Sequence, residues 1–208
     1  GTAFATDHSQ VKLYGVIDTG IYAHHSSNGS SVVEMASGIT KGSRFGFEGS
    51  EELGDGYKIY FRLEQGFESD NGKAKDSDAA FYRDSYLGLS SPYGLFEFGR
   101  TGALTAGTHG GIVGGMSPFG ITWKEGALSK IFAGNISARL NNMVRYESPS
   151  LNGAKFFAQY SNGIEDDEIA SSRKNRFISI GATYRYKSLR LIAAFDNLYY
   201  NDSETKTE

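Results

Sequence analysis

The sequence predicts an all-β protein, a transmembrane antiparallel β-barrel. Three observations lead there. Apolar and polar residues alternate with period two down most of the 208-residue chain, the pattern of strands with one apolar and one polar face. The links between these runs are sorted, short turns alternating with long polar loops, as in barrels that keep short turns on one side of a membrane and long loops on the other. Tyr57, Tyr184, Tyr186, Tyr199 and Tyr200 fall near strand ends, where interfacial aromatic girdles sit.

In chain order, Val11 to Ala23 alternates as one strand. Val11, Leu13, Gly15, Ile17, Thr19 and Ile21 share a face, and Lys12, Tyr14, Val16 and Asp18 share the other. A polar segment runs from His24 to about Thr40. "SRFGFEGSEELGDGYKIYFRLEQGF" (43–67) reads as strand, acidic glycine turn and strand. Phe45, Phe47, Tyr57, Ile59, Phe61 and Leu63 form its apolar face, against Arg44, Gly46, Glu48, Lys58, Tyr60, Arg62 and Glu64. "ESDNGKAKDSD" is a polar loop. "FYRDSYLGLSSPYGLFEFGR" is a second pair, turning at Ser90–Gly94 with Leu87, Leu89, Phe96 and Phe98 on one face.

Thr101 to about Ala138 breaks the alternation. It is rich in Gly, Ala, Thr and Ser, and loops of that length are functional or disordered. "NNMVRYESPSLNGAKFFAQYS" restores the pattern around a turn at 148–153. "IEDDEIASSRKN" is a charged loop, and "RFISIGATYRYKSLRLIAAFDNLYY" makes two long strands about a turn near Lys187-Ser188. The count is about nine strands. In lipid every backbone polar group must be paired, so the sheet has to close, and bacterial barrels use even counts. The reading therefore expects further strands beyond the polar tail "NDSETKTE". At the other end, Ala3-Phe4-Ala5 has the form of a signal-peptidase site, so residues 1–5 read as a leader remnant and 6–208 as one barrel domain.

Composition narrows the classes. Twenty-seven glycines, 13 tyrosines and 14 phenylalanines with only three prolines suit strands and tight turns rather than disorder. A net charge of −3 gives no support to nucleic-acid binding. The absence of cysteine excludes disulfide scaffolds and thiolate metal sites. No apolar run reaches the length of a membrane helix, which leaves a barrel open.

Four stretches carry a resemblance: "VKLYGVIDTGI", "SRFGFEGSEELGDG", "YRDSYLGLSSPYGLFEFGR" and "MVRYESPSLNGAKFFAQYSNG". In this order and spacing the chain resembles the general bacterial trimeric porins, in particular Gram-negative porins of the neisserial and comamonad type. The resemblance implies 16 strands in the full-length protein, of which this chain holds about the first nine. It implies a homotrimer in the outer membrane, in contact with lipid and lipopolysaccharide. It also implies a water-filled pore for small hydrophilic solutes and ions, without enzymatic activity, cofactor or metal. The third external loop folds into such a pore, and here that loop is the 101–138 segment, with Ser117, Pro118, Phe119, Gly120, Lys124 and Glu125. An acidic motif of the enterobacterial loop appears as Ser117-Pro118-Phe119-Gly120, without its carboxylate. The basic wall opposite corresponds to Arg44, Arg83 and Arg139, with Arg145 as the alternative to Arg139. Arg83 falls in phase with Leu87 and Leu89, so a β-bulge is expected to reset the alternation between them.

Rings of charge choose the ion that permeates. The loop holds one acid, Glu125, against Lys124 and Lys130, and the polar strand faces offer Lys12, Arg44, Lys58, Arg62 and Arg139. This predicts anion preference, offset in part by Glu48, Glu64 and Glu97 pairing with wall arginines. Other signals are weak. His24-His25 point oppositely on a strand, and His8 and His109 have no spaced partner. Glu165–Glu168 reads as a solvated run or a divalent-cation contact with lipopolysaccharide. "GTHGGIVGG" lacks the Lys-Ser/Thr of a phosphate loop. "NGS" at 28–30 is a sequon by pattern only. The alternatives are an outer-membrane barrel adhesin acting through its loops, or a barrel hydrolase with Ser, His and Asp converging near a rim.

Overall fold

The computed structural model describes residues 10–25, 29, 31–113, 139–164 and 175–199. These form eleven strands: β1 (Gln10–Val16), β2 (Thr19–His25), β3 (Ser31–Ser37), β4 (Arg44–Gly54), β5 (Tyr57–Gly66), β6 (Ser85–Ser91), β7 (Gly94–Thr101), β8 (Leu140–Glu147), β9 (Ala154–Ser161), β10 (Arg176–Tyr186) and β11 (Leu189–Tyr199). Nine of them make one sheet in the order β1-β4-β5-β6-β7-β8-β9-β10-β11, and β2 and β3 pair separately. Every ladder is antiparallel.

Two expectations change. The run from Val11 to Ala23 is two strands, broken at Ile17-Asp18, and the segment from His24 to Thr40 contains β3. The break has a physical cause in Asp18. Its carboxylate accepts from Thr40 Oγ at 2.7 Å and from the amides of Lys41, Thr40 and Ile39 at 2.8, 3.0 and 3.1 Å. A side chain that caps a loop this way competes with strand pairing. The ladder then resumes with β3 as partner, so β2–β3 projects as a hairpin beside the sheet's long-loop end.

The Asp18 clamp has a pH signature. The Thr40 hydroxyl and then the Lys41 amide hold the carboxyl down from 3.8 to about 2. Its contribution is complete above the unfolded value and is lost as pH falls through about 2. Hydrogen exchange should show the amides of 39–41 protected at pH 4 and above and opening as pH approaches 2. In Asp18→Asn they should open at every pH. Protection unchanged in Asp18→Asn would remove the clamp.

The loop lengths sort as expected. β4–β5, β6–β7 and β10–β11 are joined by two residues each, and β8–β9 by a turn at 148–153, while the other ends carry the long segments 67–84, 102–139 and 162–175. The faces also divide as expected. Val11, Phe45, Ile180, Leu191 and Phe195 are exposed, at 72, 41, 57, 53 and 60%. Arg44 lies on the opposite face, bonded to Glu64. A sheet with its large apolar side chains outward, contiguous over many strands, is the inverse of a soluble fold and fits a lipid surround.

The buried apolar residues sit on the polar face, where residues 102–113 fold across it. Leu104 and Ile112 pack with Phe157 and the half-buried Ile192. Ala103 and Ala106 pack with Leu140, Met143 and Phe177. Burying Leu104 and Ile112 contributes about 1.5–3 kcal/mol each, enough to hold this segment against the wall.

Candidate functional site

The polar face of β1 and β4–β9 carries ionised side chains that meet in three groups. In the first, Glu48 accepts from Arg62 Nη2 at 2.8 Å and Lys12 Nζ at 3.4 Å. In the second, Glu64 accepts from Arg83 Nε at 2.5 Å and Arg44 Nε at 3.2 Å. Arg139 stands 3.8 Å from the same carboxylate and binds Asp84 at 2.6 Å through Nε. In the third, Glu97 receives Arg145 Nη1, Tyr60 Oη and His109 Nε2, each at 2.9 Å. Arg145 and Lys155 also share Glu147, at 2.7 Å each.

Sequence register explains how residues on separate strands reach one another. Tyr14, Gly46 and Glu64 stand in one row across β1, β4 and β5. Tyr60, Gly88 and Glu97 repeat the arrangement across β5, β6 and β7. The glycine in the middle has no side chain, so the tyrosine lies flat over its strand and donates to the acid on the strand beyond, at 2.9 Å in both rows. A Cβ on Gly46 would stand 2.8 Å from Tyr14 Oη, and one on Gly88 only 2.1 Å from Tyr60 Cζ.

The arginines matched by the resemblance therefore come together in part. Arg44, Arg83 and Arg139 converge on Glu64, Lys12 and Arg62 on Glu48, and Arg145 stands apart on Glu97. The pairing expected of Glu48, Glu64 and Glu97 is present. The bulge expected near Arg83 is present just before β6, where Arg83 and Asp84 together oppose the single residue Glu64. The β5–β6 ladder keeps its register, and Arg83 precedes β6 altogether. Its amide donates to Glu64 O at 3.2 Å, and the Glu64 amide to Asp84 O at 2.7 Å. This two-against-one step resets the alternation, so Arg83 reaches Glu64 on the polar face although it is in phase with Leu87. Ser117, Pro118, Phe119, Gly120, Lys124 and Glu125 lie outside the described residues, as do residues 1–5 and 165–168.

Charge counts decide the local sign. Three guanidiniums face two carboxylates around Glu64 and Asp84, and two cations face Glu48. The first two groups keep a positive excess. In the third, Arg145 and Lys155 face Glu97 and Glu147 evenly.

Sequence reasoning missed three contributors. His109, read as isolated, stacks on Tyr86 with ring centroids 4.6 Å apart and pins the inward segment to Glu97. Gln159 Nε2 donates to Gly102 O at 2.8 Å and holds the same segment from β9. Arg100 bonds Tyr82 O at 2.6 Å and Asn141 Oδ1 at 2.5 Å. Only Arg100 had a signal, its place in the F-G-R stretch at the end of β7.

An outward apolar face, an inward charged face and a segment folded across the charged side mark the wall of an outer-membrane β-barrel. The chain belongs to the Gram-negative porin family, whose model matches residues 1–207, and the outer membrane is its location. It is similar to an outer membrane porin protein of Bordetella pertussis, 30% identical over 96% of this chain and 57% of that protein. It is also similar to the major outer membrane protein P.IB of Neisseria meningitidis, 28% identical over 91% of this chain and 62% of that protein. Among solved structures, an anion-selective porin from Comamonas acidovorans superposes with a TM-score of 0.63 at 25% identity, covering 92% of this chain and 59% of that one. The chain thus spans under two thirds of the length of these relatives.

Proposed function

We propose that the full-length protein is a homotrimeric diffusion channel for small hydrophilic solutes, with a preference for anions. The observation that carries this is the excess of guanidinium over carboxylate around Glu64, on the face that the inward segment crosses. The segment narrows the lumen and sieves by size. In a narrow, partly desolvated passage each unpaired positive charge lowers the energy of an anion more than it would in bulk water. The likeness to a porin named as anion-selective supports the same sign. Lys124 and Glu125, with Ser117, Pro118, Phe119 and Gly120, complete the constriction in this reading, and residues 1–5 belong to the leader.

The hydrolase alternative finds no support among the described residues. His109 is committed to Glu97 and Tyr86, and His25 meets Ser31 on an exposed hairpin. The adhesin alternative has no observation in its favour. The test is the reversal potential of the full-length protein in a planar bilayer under a potassium chloride gradient. An anion-selective sign is expected, and a cation-selective one overturns the reading.

A further inference from the structure

Beside Gly111 and Ile112 of the inward segment, towards the short-turn end of β8–β11, a cavity of about 520 Å³ opens on the polar face. Four cations line it, Arg145, Lys155, Arg185 and Arg190, with one carboxylate, Glu147. Arg145 and Lys155 both bind Glu147. The other two cations differ. Arg185 on β10 and Arg190 on β11 are direct cross-strand partners next to the Lys187-Ser188 turn. Among the described residues neither guanidinium meets a carboxylate, and Arg190 makes only a long contact, 3.4 Å to Ile112 O. Like charges directly opposite on a sheet destabilise it, so this pair is a cost to the fold unless something negative lies between them.

The geometry suits an oxyanion. Arg185 and Arg190 are direct cross-strand partners that line one cavity, so two planar donor forks are available to one acceptor group, which compact ammoniums do not offer. Ile112 and Phe157 form an apolar wall beside them, which strengthens the attraction by lowering the local dielectric. The volume lies within the usual range of small-molecule sites.

We infer that Arg185 and Arg190 form an oxyanion-binding station below the inward segment, separate from the Glu64 group, for small solutes bearing a phosphate. This rests on the polar face being a wet lumen, as proposed above. The station draws phosphorylated solutes through the lumen ahead of chloride.

Inorganic phosphate added on the short-turn side of the full-length channel tests it, with chloride current as the readout. Saturable reduction of the current is expected. Arg185→Gln and Arg190→Gln should each raise the half-blocking concentration roughly tenfold, the equivalent of one charge-assisted hydrogen bond. Arg185→Lys, which keeps the charge and the fold but removes the fork, should do the same. Lys187→Gln, which removes a charge from the same hairpin, should change nothing. Block that does not saturate, or an equal shift in Lys187→Gln, overturns the station and leaves only a diffuse field. If the wild-type channel selects cations in potassium chloride, the channel reading itself fails. If it selects anions yet shows no saturable block, only the station fails.

Discussion

Glu64→Gln is expected to make the channel more anion-selective and the barrel less stable. Glu64 is 5% exposed and is the shared acceptor of Arg44, Arg83 and Tyr14, with Arg139 at 3.8 Å. Removing its charge leaves three guanidiniums with Asp84 as the remaining acid of the group. One extra unit charge about 8 Å from a permeating ion, at an effective dielectric of about 40, changes the ion's energy by about 1 kcal/mol. That is roughly a fivefold rise in relative anion permeability. Breaking a buried ion pair at one partner also costs about 3–5 kcal/mol, because the remaining charges stay desolvated. Reversal potentials measure the first effect, and the denaturant midpoint of the folded form in detergent measures the second. A reversal potential that does not move would show that this group does not face the conducting path.

Gly88→Ala is expected to rank among the most damaging single-methyl additions in the sheet. The new Cβ would stand 2.1 Å from Tyr60 Cζ, so the ring must leave β6. Its hydroxyl then loses Glu97, which is 1% exposed and depends on Tyr60, His109 and Arg145 for its donors. Overpacking costs about 1–3 kcal/mol, and a hydrogen bond to a charged group about 1.5–3 kcal/mol. The inward segment should loosen too, since His109 anchors it to the same acid. The account is checked by a double-mutant cycle. In a Tyr60→Leu background the penalty of Gly88→Ala should largely vanish, because the ring it collides with is gone. A penalty of the same size in both backgrounds would mean that the glycine acts through its backbone instead.

Much of the fold was legible because a strand's two faces are written locally. Leu87, Phe98, Ile180 and Phe195 were assigned to one face by alternation and are exposed on that face in the structure. The turn at Lys187-Ser188 was legible for the same reason. Elements failed to read where alternation was the wrong guide. The period two pattern runs on through Ile17-Asp18, but Asp18 caps the loop and breaks the strand. Arg83, in phase with Leu87 by alternation alone, reaches the polar face because it and Asp84 both oppose Glu64.

By itself the sequence determined that this is a barrel with a greasy outside, a charged inside, sorted loops and an interruption at residue 101. It did so because each depends on neighbours two residues apart or on the length of a run. Only the tertiary structure decided which charges meet. Lys12 and Glu48 are 36 residues apart and touch because the β1–β4 register sets them opposite each other, while Tyr60 and Glu97, 37 apart, touch because Gly88 stands between them. Register is a property of paired strands, so no single strand's pattern contains it.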